Sequence, residues 1–193
     1  MKFQRTEIPE VVICEPVVFG DNRGYFVETF RGDLLDEFLG FHINFVQDNE
    51  SKSSKGVLRG LHYQLPPFAQ TKLVRVVKGK VIDIAVDIRK NSPTFAKFVA
   101  VELSAENKRQ LLVPRGFAHA FVVLEDDTIF AYKVDAHYSK ECDRGIAFND
   151  PTINIDWQKL VGDISNLNLS EKDKKQPNLN EAELFDFKVN YYA

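Results

Sequence analysis

Residues 56–72 read Gly56-Val57-Leu58-Arg59-Gly60-Leu61-His62-Tyr63-Gln64-Leu65-Pro66-Pro67-Phe68-Ala69-Gln70-Thr71-Lys72, a β-prone segment interrupted by glycine and proline. The segment carries a guanidinium, an imidazole and an ammonium group. Arginine binds phosphate bidentately, histidine transfers protons near neutral pH, and lysine stabilises developing negative charge. The alternative is a half-buried strand with solvated polar ends. Strand alternation predicts Leu58, Gly60, His62 and Gln64 on one face, and Arg59, Leu61 and Tyr63 on the other.

Residues 72–88 show the clearest strand pattern outside this segment, and the pattern predicts a β-hairpin. With Lys78-Gly79 as a two-residue turn, Val74 lies opposite Asp83 and Lys72 lies opposite Ala85. Lys72 and Asp83 would then point to the same side of the hairpin. A slip of one residue would separate them.

Most of the remaining chain also alternates with a period of two and is divided by turn residues. Strands are predicted around His119–Val123, Thr128–Val134 and Ile153–Trp157. The helical patterns are short: one runs from Asp33 to Leu39 and ends at Gly40, and another begins at Ser170 and is limited by Pro177. The sequence therefore predicts one all-β domain over residues 1–193, built as a sandwich or barrel.

Composition excludes several functional classes. The 193 residues have a net charge of −3 and a pI of about 5.8, which argues against a general nucleic-acid binder. Cys14 and Cys142 are too far apart for a zinc motif. No apolar run approaches the ~20 residues of a membrane span, and no signal peptide precedes the first strand. We therefore expect a cytoplasmic protein.

Several candidate residues also have ordinary structural interpretations. His62 could be a core histidine, Tyr132 a core aromatic, and Lys72 with Asp83 a surface ion pair. Ser170 and Asp173 match a capping box. His119 lies in Pro114-Arg115-Gly116-Phe117-Ala118-His119, which resembles the second cupin motif. The first motif would require a closely spaced histidine pair, but it reads His62-Tyr63-Gln64, so no metal site is predicted.

No serine or cysteine nucleophile constellation and no glycine-rich phosphate loop stands out. An imidazole, an ammonium, a phenol and carboxylates remain. This set suits proton abstraction beside a carbonyl, in which a base removes a carbon-bound proton and a cation stabilises the enolate.

Four motifs in order resemble the dTDP-4-dehydrorhamnose 3,5-epimerase family. They are Gly56–Gln64, Ser92-Pro93-Thr94-Phe95, Pro114–His119 and Asn149-Asp150-Pro151. The resemblance implies a double-stranded β-helix, or cupin-like jelly roll, with a few short peripheral helices. A short helical segment at about 163–193 would pack on it. It also implies a homodimer without metal or cofactor that inverts C3 and C5 of a dTDP-linked 4-keto-6-deoxy sugar, dTDP-4-dehydro-6-deoxyglucose.

The resemblance assigns roles residue by residue. It makes His62 the catalytic base, Asp173 its partner carboxylate, Lys72 the enolate-stabilising cation and Tyr132 the proton donor on the opposite face. It also implies substrate-binding residues: Arg23, Phe26, Glu28, Gln47, Asn49, Arg59, Asp83, His119 and Asp143. The N-terminal segment with Arg23 and Glu28 would reach the partner subunit's site. The chain has Asp143 where the family often has Glu, and Phe148 where it often has Trp.

Three alternatives stay open at this point. The protein could be an epimerase that acts only at C3 or on another nucleotide-linked 4-keto sugar. It could instead be a metal-dependent cupin, or a module that binds a nucleotide sugar without catalysis.

Overall fold

The structure is a computed structural model that describes residues 1–163, 165 and 167–192. Two antiparallel sheets account for most of it. The first sheet has six strands, in the spatial order β1 (Lys2–Arg5), β2 (Val12–Glu15), β11 (Gln110–Val113), β7 (Lys72–Lys78), β13 (Thr128–Val134) and β5 (Gln47–Ser53). The second has five, in the order β10 (Phe98–Ser104), β8 (Lys80–Asp87), β12 (Phe117–Val123), β6 (Leu58–Gln64) and β14 (Asp143–Gly145).

The two sheets pack face to face through a buried apolar layer. Val74 and Phe130 of the first sheet meet Ala85, Val101 and Phe121 of the second in this layer. Each sheet also buries its outer face: the second packs against C-terminal residues such as Trp157, and the first packs against Leu35. Alternating residues of one strand therefore enter different apolar clusters. The predicted all-β jelly roll with few helices is confirmed.

The helices are short and peripheral. Helix α1 spans Gly32–Leu39 and ends at Gly40, as the sequence predicted. The φ of Gly40 is 81°, a left-handed conformation that is common after the last residue of a helix. Helix α2 spans Trp157–Val161, and a 3-10 helix spans Asp173–Lys175. No helix in the described ranges is long and apolar enough to cross a membrane.

The predicted strand at Ile153–Trp157 is wrong. Asp150 accepts hydrogen bonds from the backbone N–H groups of Thr152 and Ile153, both at 2.9 Å, and this turns the chain. Asp156 then accepts from the N–H of Lys159 and caps helix α2. Two local side-chain caps outcompete strand pairing here.

The predicted hairpin of residues 72–88 is also wrong, because β7 and β8 belong to different sheets. Strand β7 pairs with β11 and β13, whereas β8 pairs with β10 and β12. Gly79 therefore connects the two sheets. A period of two shows which side of a strand is apolar but does not identify its hydrogen-bonded neighbour. Lys72 and Asp83 still both face the interior, from opposite walls.

Two smaller strand pairs complete the fold. Strands β3 (Val18–Asp21) and β4 (Gly24–Val27) form an exposed hairpin that pairs only with itself among the described strands. Strand β15 (Phe185–Asp186) pairs in parallel with β9 (Arg89–Lys90). The expected C-terminal segment of about 163–193 thus contains a 3-10 turn and a strand. Ile164, Asn166 and Ala193 of that segment lie outside the described residues.

Candidate active site

A cavity of about 440 Å³ opens between the two sheets. Both walls contribute polar side chains, and the C-terminal segment closes one side. The chemically active residues that line it are Arg59, His62, Lys72, His119, Tyr132, Lys172 and Asp173. Six of these seven, all except Lys172, were candidate residues of the sequence analysis, and the family resemblance assigned their roles.

A β-bulge in β6 brings Arg59 and His62 to the same side. His62 pairs with His119 and Arg59 pairs with Phe121, so two residues of β6 oppose Ala120 alone. Gly60 allows this because its φ is +138°, and a Cβ there would lie 2.2 Å from the Cβ of Ala120. The prediction that Arg59 and His62 lie on opposite faces is therefore wrong. Leu58, Leu61 and Tyr63 instead share the outer apolar cluster.

His62 is held by the carboxylate of Asp173. Its Nε2 atom lies 2.5 Å from Oδ1 of Asp173, and the Asp173 side chain is almost fully buried. Burial raises the pKa of Asp173, but hydrogen bonds from His62 and Ser170 outweigh it, so the net pKa is lowered. Asp173 is thus a carboxylate at neutral pH and fixes the ring orientation of His62.

The predicted capping box is present in part, because the carboxylate of Asp173 binds the hydroxyl of Ser170 rather than its backbone N–H. Ser170 donates its hydroxyl to Oδ2 of Asp173 at 2.8 Å, and the N–H of Asp173 donates to Ser170 Oγ at 3.1 Å. Ser170 Oγ therefore caps the turn, while the carboxylate of Asp173 holds the Ser170 hydroxyl through Oδ2 and the imidazole of His62 through Oδ1. The structural and functional interpretations of Asp173 apply together.

On the deep wall, Asp83 holds His119. Both carboxylate oxygens of Asp83 accept from Nε2 of His119, at 3.0 and 2.9 Å, and Asp83 is fully buried. Burial raises the pKa of Asp83, against the lowering effect of His119 and Lys72. Among the described residues, no three His, Cys, Asp or Glu side chains form a group that could hold a metal ion.

Lys72 lies at the start of β7 and faces the same cavity. Burial lowers its pKa to about 8, although Asp143 and Asp83 attract the positive charge. A lysine with this pKa retains its proton near neutral pH yet is less hydrated than a surface lysine. It can therefore stabilise an oxyanion formed beside it.

Tyr132 and two predicted polar residues lie on one face of the first sheet. Tyr132 pairs with Asn49 and Val134 pairs with Gln47, so Gln47 and Asn49 point to the same side as Tyr132. Gln47 donates to Asn49 at 2.8 Å. Burial raises the pKa of Tyr132 despite the nearby Arg59, so its phenol stays protonated. Arg59 itself donates to the hydroxyl of Ser53 at 3.1 Å.

Asp143 lies next to the cavity without lining it. It accepts hydrogen bonds from Lys172 and, at 3.1 Å, from the hydroxyl of Tyr138. Lys172 lines the cavity, and sequence reasoning missed it. Its place beside Asp173 was the available signal. Apart from this position, the sequence around Lys172 does not distinguish it from a lysine that is simply exposed to solvent.

Arg23, Phe26 and Glu28 do not reach this cavity within one chain. Arg23 pairs with Asp21 at the tip of the exposed hairpin, and Phe26 is 68% exposed. Glu28 lies 3.6 Å from Arg31. Of the remaining predicted residues, Arg59, His62, Lys72, His119, Tyr132 and Asp173 line the cavity, and Asp83 contacts it through His119. Asn49 lines a neighbouring cavity that shares Tyr132 with this one.

The fold and the cavity together define a jelly-roll protein with an interior site suited to proton transfer. A family model described as dTDP-4-dehydrorhamnose 3,5-epimerase matches residues 5–181. The chain is 55% identical over 185 residues to the dTDP-4-dehydrorhamnose 3,5-epimerase of Shigella flexneri. The aligned region covers 96% of this chain and 99% of the relative. The chain therefore belongs to the dTDP-4-dehydrorhamnose 3,5-epimerase family.

Two solved structures are similar throughout. One is a dTDP-6-deoxy-D-glucose-3,5-epimerase from Legionella pneumophila in complex with dTDP-4-keto-L-rhamnose. It is 46% identical to this chain, with a TM-score of 0.91, and the superposed region covers 97% of this chain and 99% of that chain. The other is a 3'-monoepimerase from Streptomyces bikiniensis in complex with dTDP-quinovose. It is 32% identical to this chain, with a TM-score of 0.88, and the superposed region covers 96% of this chain and 93% of that chain.

Proposed function

We propose that this protein converts dTDP-4-dehydro-6-deoxy-D-glucose to dTDP-4-dehydro-L-rhamnose by inverting C3 and C5. The observation that carries the proposal is one cavity holding the His62–Asp173 pair together with Lys72. C3 and C5 both lie next to the C4 ketone, so one oxyanion-stabilising site serves both inversions. Family membership supports the same reaction.

His62 acts as the base in this proposal. The ring nitrogen that is not bonded to Asp173 takes the proton from carbon, and the electron pair of the C–H bond moves to form the enolate. The imidazolium that results is stabilised by the Asp173 carboxylate at 2.5 Å. General acid–base catalysis of this kind contributes about 10²–10⁴-fold.

Lys72 stabilises the enolate oxygen that develops from the C4 ketone. An oriented charge of this kind contributes about 3 kcal/mol to the transition state. Asp83, which holds His119, lies on the wall facing Lys72. Its negative charge favours the ammonium form of Lys72. We assign Asp83 and His119 to positioning the cation and the sugar.

Tyr132 returns a proton to the carbon from the other face. Its raised pKa keeps the phenol protonated at neutral pH, so it is available as a donor. Inversion then requires the base and the donor to lie on opposite sides of the sugar ring. His62 on β6 and Tyr132 on β13 come from opposite sheets, which supports this assignment.

The nucleotide is assigned to the cations and amides around the mouth of the cavity. Arg59, Gln47 and Asn49 supply donors for phosphate and base, and Asp143 supplies an acceptor. In the proposed homodimer, Arg23, Phe26 and Glu28 of one chain complete the site of its partner. The exposed aromatic residues of the β3–β4 hairpin support a contact of this kind, since Phe19, Tyr25 and Phe26 are each more than half exposed.

The deciding experiment is incubation with dTDP-4-dehydro-6-deoxyglucose in D₂O. Deuterium at both C3 and C5 of the product is expected, and deuterium at C3 alone would favour a monoepimerase. This second candidate is considered because a 3'-monoepimerase from Streptomyces bikiniensis has a similar structure. Activity lost to a chelator and restored by a transition metal would instead favour a metal-dependent cupin.

A substitution separates catalysis from binding. His62→Asn should lower turnover by about 10²–10⁴-fold while the protein stays folded. His137→Asn is the matched control, because His137 is exposed and lies outside the cavity. An active His62→Asn variant would assign the role of the base to another residue. A wild-type protein that binds the nucleotide sugar without turning it over would instead identify a binding module.

Mixed dimers test the shared site. Arg23→Ala and His62→Asn chains should each be nearly inactive alone. Co-refolded together, they should regain about a quarter of wild-type activity, because half of the mixed dimers' sites receive an intact hairpin and an intact base. No recovery, or a monomer by light scattering, would refute the exchange of hairpins.

We also place the protein in the cytoplasm. The two cysteines are unpaired, with Cys14 buried, which suits a reducing compartment.

A further inference from the structure

Tyr192 lies in the C-terminal tail, outside the region that matches the family, yet it contacts the strand that carries Lys72. Its hydroxyl is 2.8 Å from Oγ1 of Thr71, the residue before Lys72. The backbone N–H of Arg115 donates to the same hydroxyl at 3.1 Å. A phenol at the end of the tail thus binds two segments of the main fold.

These contacts close into a ring of buried polar groups. The N–H of Thr71 donates to Oδ1 of Asp135 at 2.6 Å, and Arg115 donates through Nε to Oδ2 of Asp135 at 3.1 Å. Thr71 is fully buried, and the Asp135 side chain is 3% exposed. A fully satisfied buried network of this kind restricts the backbone to one position.

The ring lies where three strands meet beside the site. Lys72 pairs with Val113 on one side and with Val134 on the other. Arg115 follows Val113 closely, and Asp135 directly follows Val134. Both residues that pair with Lys72 in the sheet therefore lie within two positions of a residue of the ring.

The tail is itself anchored by packing. The ring of Tyr192 lies 4.7 Å from that of Phe41, and the guanidinium of Arg115 lies over it at 5.1 Å. Arg115 also donates to the backbone carbonyl of Tyr191. The hydroxyl of Tyr192 is consequently held in place rather than free to rotate away.

We propose that Tyr192 is a positioning residue for the epimerisation, acting through Thr71 to fix the backbone from which Lys72 extends. This inference rests on the proposed function of Lys72. Lys72 must meet an oxyanion that exists only in the transition state, so a small displacement lowers turnover more than it lowers substrate binding.

Tyr192→Phe removes only the hydroxyl and retains the packing. We expect kcat to fall on the order of tenfold, with KM changed by less than about twofold. Thr71→Val should have the same effect, and Thr71→Ser, which keeps the hydroxyl, should restore most of the turnover. The double variant Thr71→Val/Tyr192→Phe should be no worse than Tyr192→Phe alone, because Tyr192→Phe already removes the contact between Thr71 and Tyr192.

Tyr191→Phe is the matched control. The hydroxyl of Tyr191 accepts from the N–H of Asp186 within the tail, at 2.8 Å, and does not touch β7. Its kcat should equal that of the wild type. A purely structural role of the tail would instead lower the unfolding temperature of both tyrosine variants and leave kcat of each unchanged at 25 °C, and this result would overturn the inference.

The inference can still be tested if Tyr192→Phe does not fold or if the proposed function is wrong. If Tyr192→Phe does not fold, the comparison of Thr71→Val with Thr71→Ser decides, and equal turnover in these two overturns the inference. If the wild type exchanges no deuterium, the proposed function fails. The position of Lys72 is then read from crystal structures of the wild type and Tyr192→Phe, and an unmoved Nζ atom overturns the positioning role.

Discussion

Asp173 follows His62 by 111 positions in the chain, yet its Oδ1 atom lies 2.5 Å from Nε2 of that imidazole. The two residues come from different parts of the fold: His62 from strand β6 of the second sheet and Asp173 from a 3-10 turn that contacts this strand. The base and the group that orients it are therefore joined only when the C-terminal segment docks on the sandwich.

Asp173→Asn should lower kcat on the order of 10²-fold, because the amide keeps the size of the side chain but cannot stabilise an imidazolium. The assay is product formation at substrate saturation. Asp156→Asn provides the control, since asparagine also caps a helix well and Asp156 lies outside the cavity. Equal turnover in both variants would contradict the proposed role of Asp173.

The same residue should affect stability at acidic pH. The pKa of Asp173 is lowered from 3.8 in the folded state, so the unfolded chain takes up its proton first as the pH falls. The stabilisation is therefore complete above about pH 4 and is lost as the pH drops through the lowered folded value. Urea unfolding of the wild type and Asp173→Asn should converge below pH 4, and a constant difference between them would contradict this account.

Lys72 should give the pH–rate profile a decline on its basic side. Because its pKa is lowered to about 8, kcat/KM should fall as the pH rises through that value and the ammonium becomes neutral. The measurement is kcat/KM between pH 6.5 and 9.5.

Two variants check the assignment of this decline. Lys72→Arg should lose turnover at pH 7 but keep its remaining activity to higher pH, since a guanidinium stays charged. Lys72→Met should be inactive across the whole range. A decline near pH 8 that persists unchanged in Lys72→Arg would belong to another group.

Tyr132→Phe should separate deprotonation from inversion. His62 still removes the proton and can return a deuteron to the same face, so labelled substrate of unchanged configuration should accumulate in D₂O. Formation of the epimer should fall by about 10²-fold. Mass spectrometry combined with NMR of the sugar ring measures both, and parallel loss of exchange and epimerisation would assign Tyr132 to an earlier step.

Gly60→Ala should destabilise the protein by about 3 kcal/mol and abolish activity, because a Cβ would overlap Ala120 and the φ of +138° is unfavourable for alanine. Gly40→Ala is the matched control: its φ of 81° is also positive, but nothing lies within 4 Å of a Cβ there. Its cost should be about 1 kcal/mol, measured by urea unfolding. Similar costs at both positions would show that the bulge tolerates a side chain.

Alternation in the sequence predicted β13 well, because Thr128, Phe130 and Val134 on one of its faces are buried and the other face is not. Strand β12 was also predicted, although it is buried on both faces. Alternation failed at β6, where the bulge at Gly60 shifts the phase by one residue and no local rule signals it. It also failed for β7 and β8, since alternation carries no information about which strand is the neighbour.

The site was predictable to the extent that its residues lie in motifs. His62, Arg59 and His119 stand in distinctive stretches, whereas Asp173 looks like an ordinary turn residue and was assigned only through the family resemblance. The pairing of His119 with Asp83 could not be deduced, because it depends on which two strands become adjacent.

The location of Asp173 also has a consequence for synthesis on the ribosome. The two large sheets are complete once β14 has emerged from the ribosome at Gly145, and Asp173 emerges 28 residues later. A nascent chain can therefore assemble its scaffold before it holds an oriented base, so the scaffold and the catalytic machinery mature at separate times.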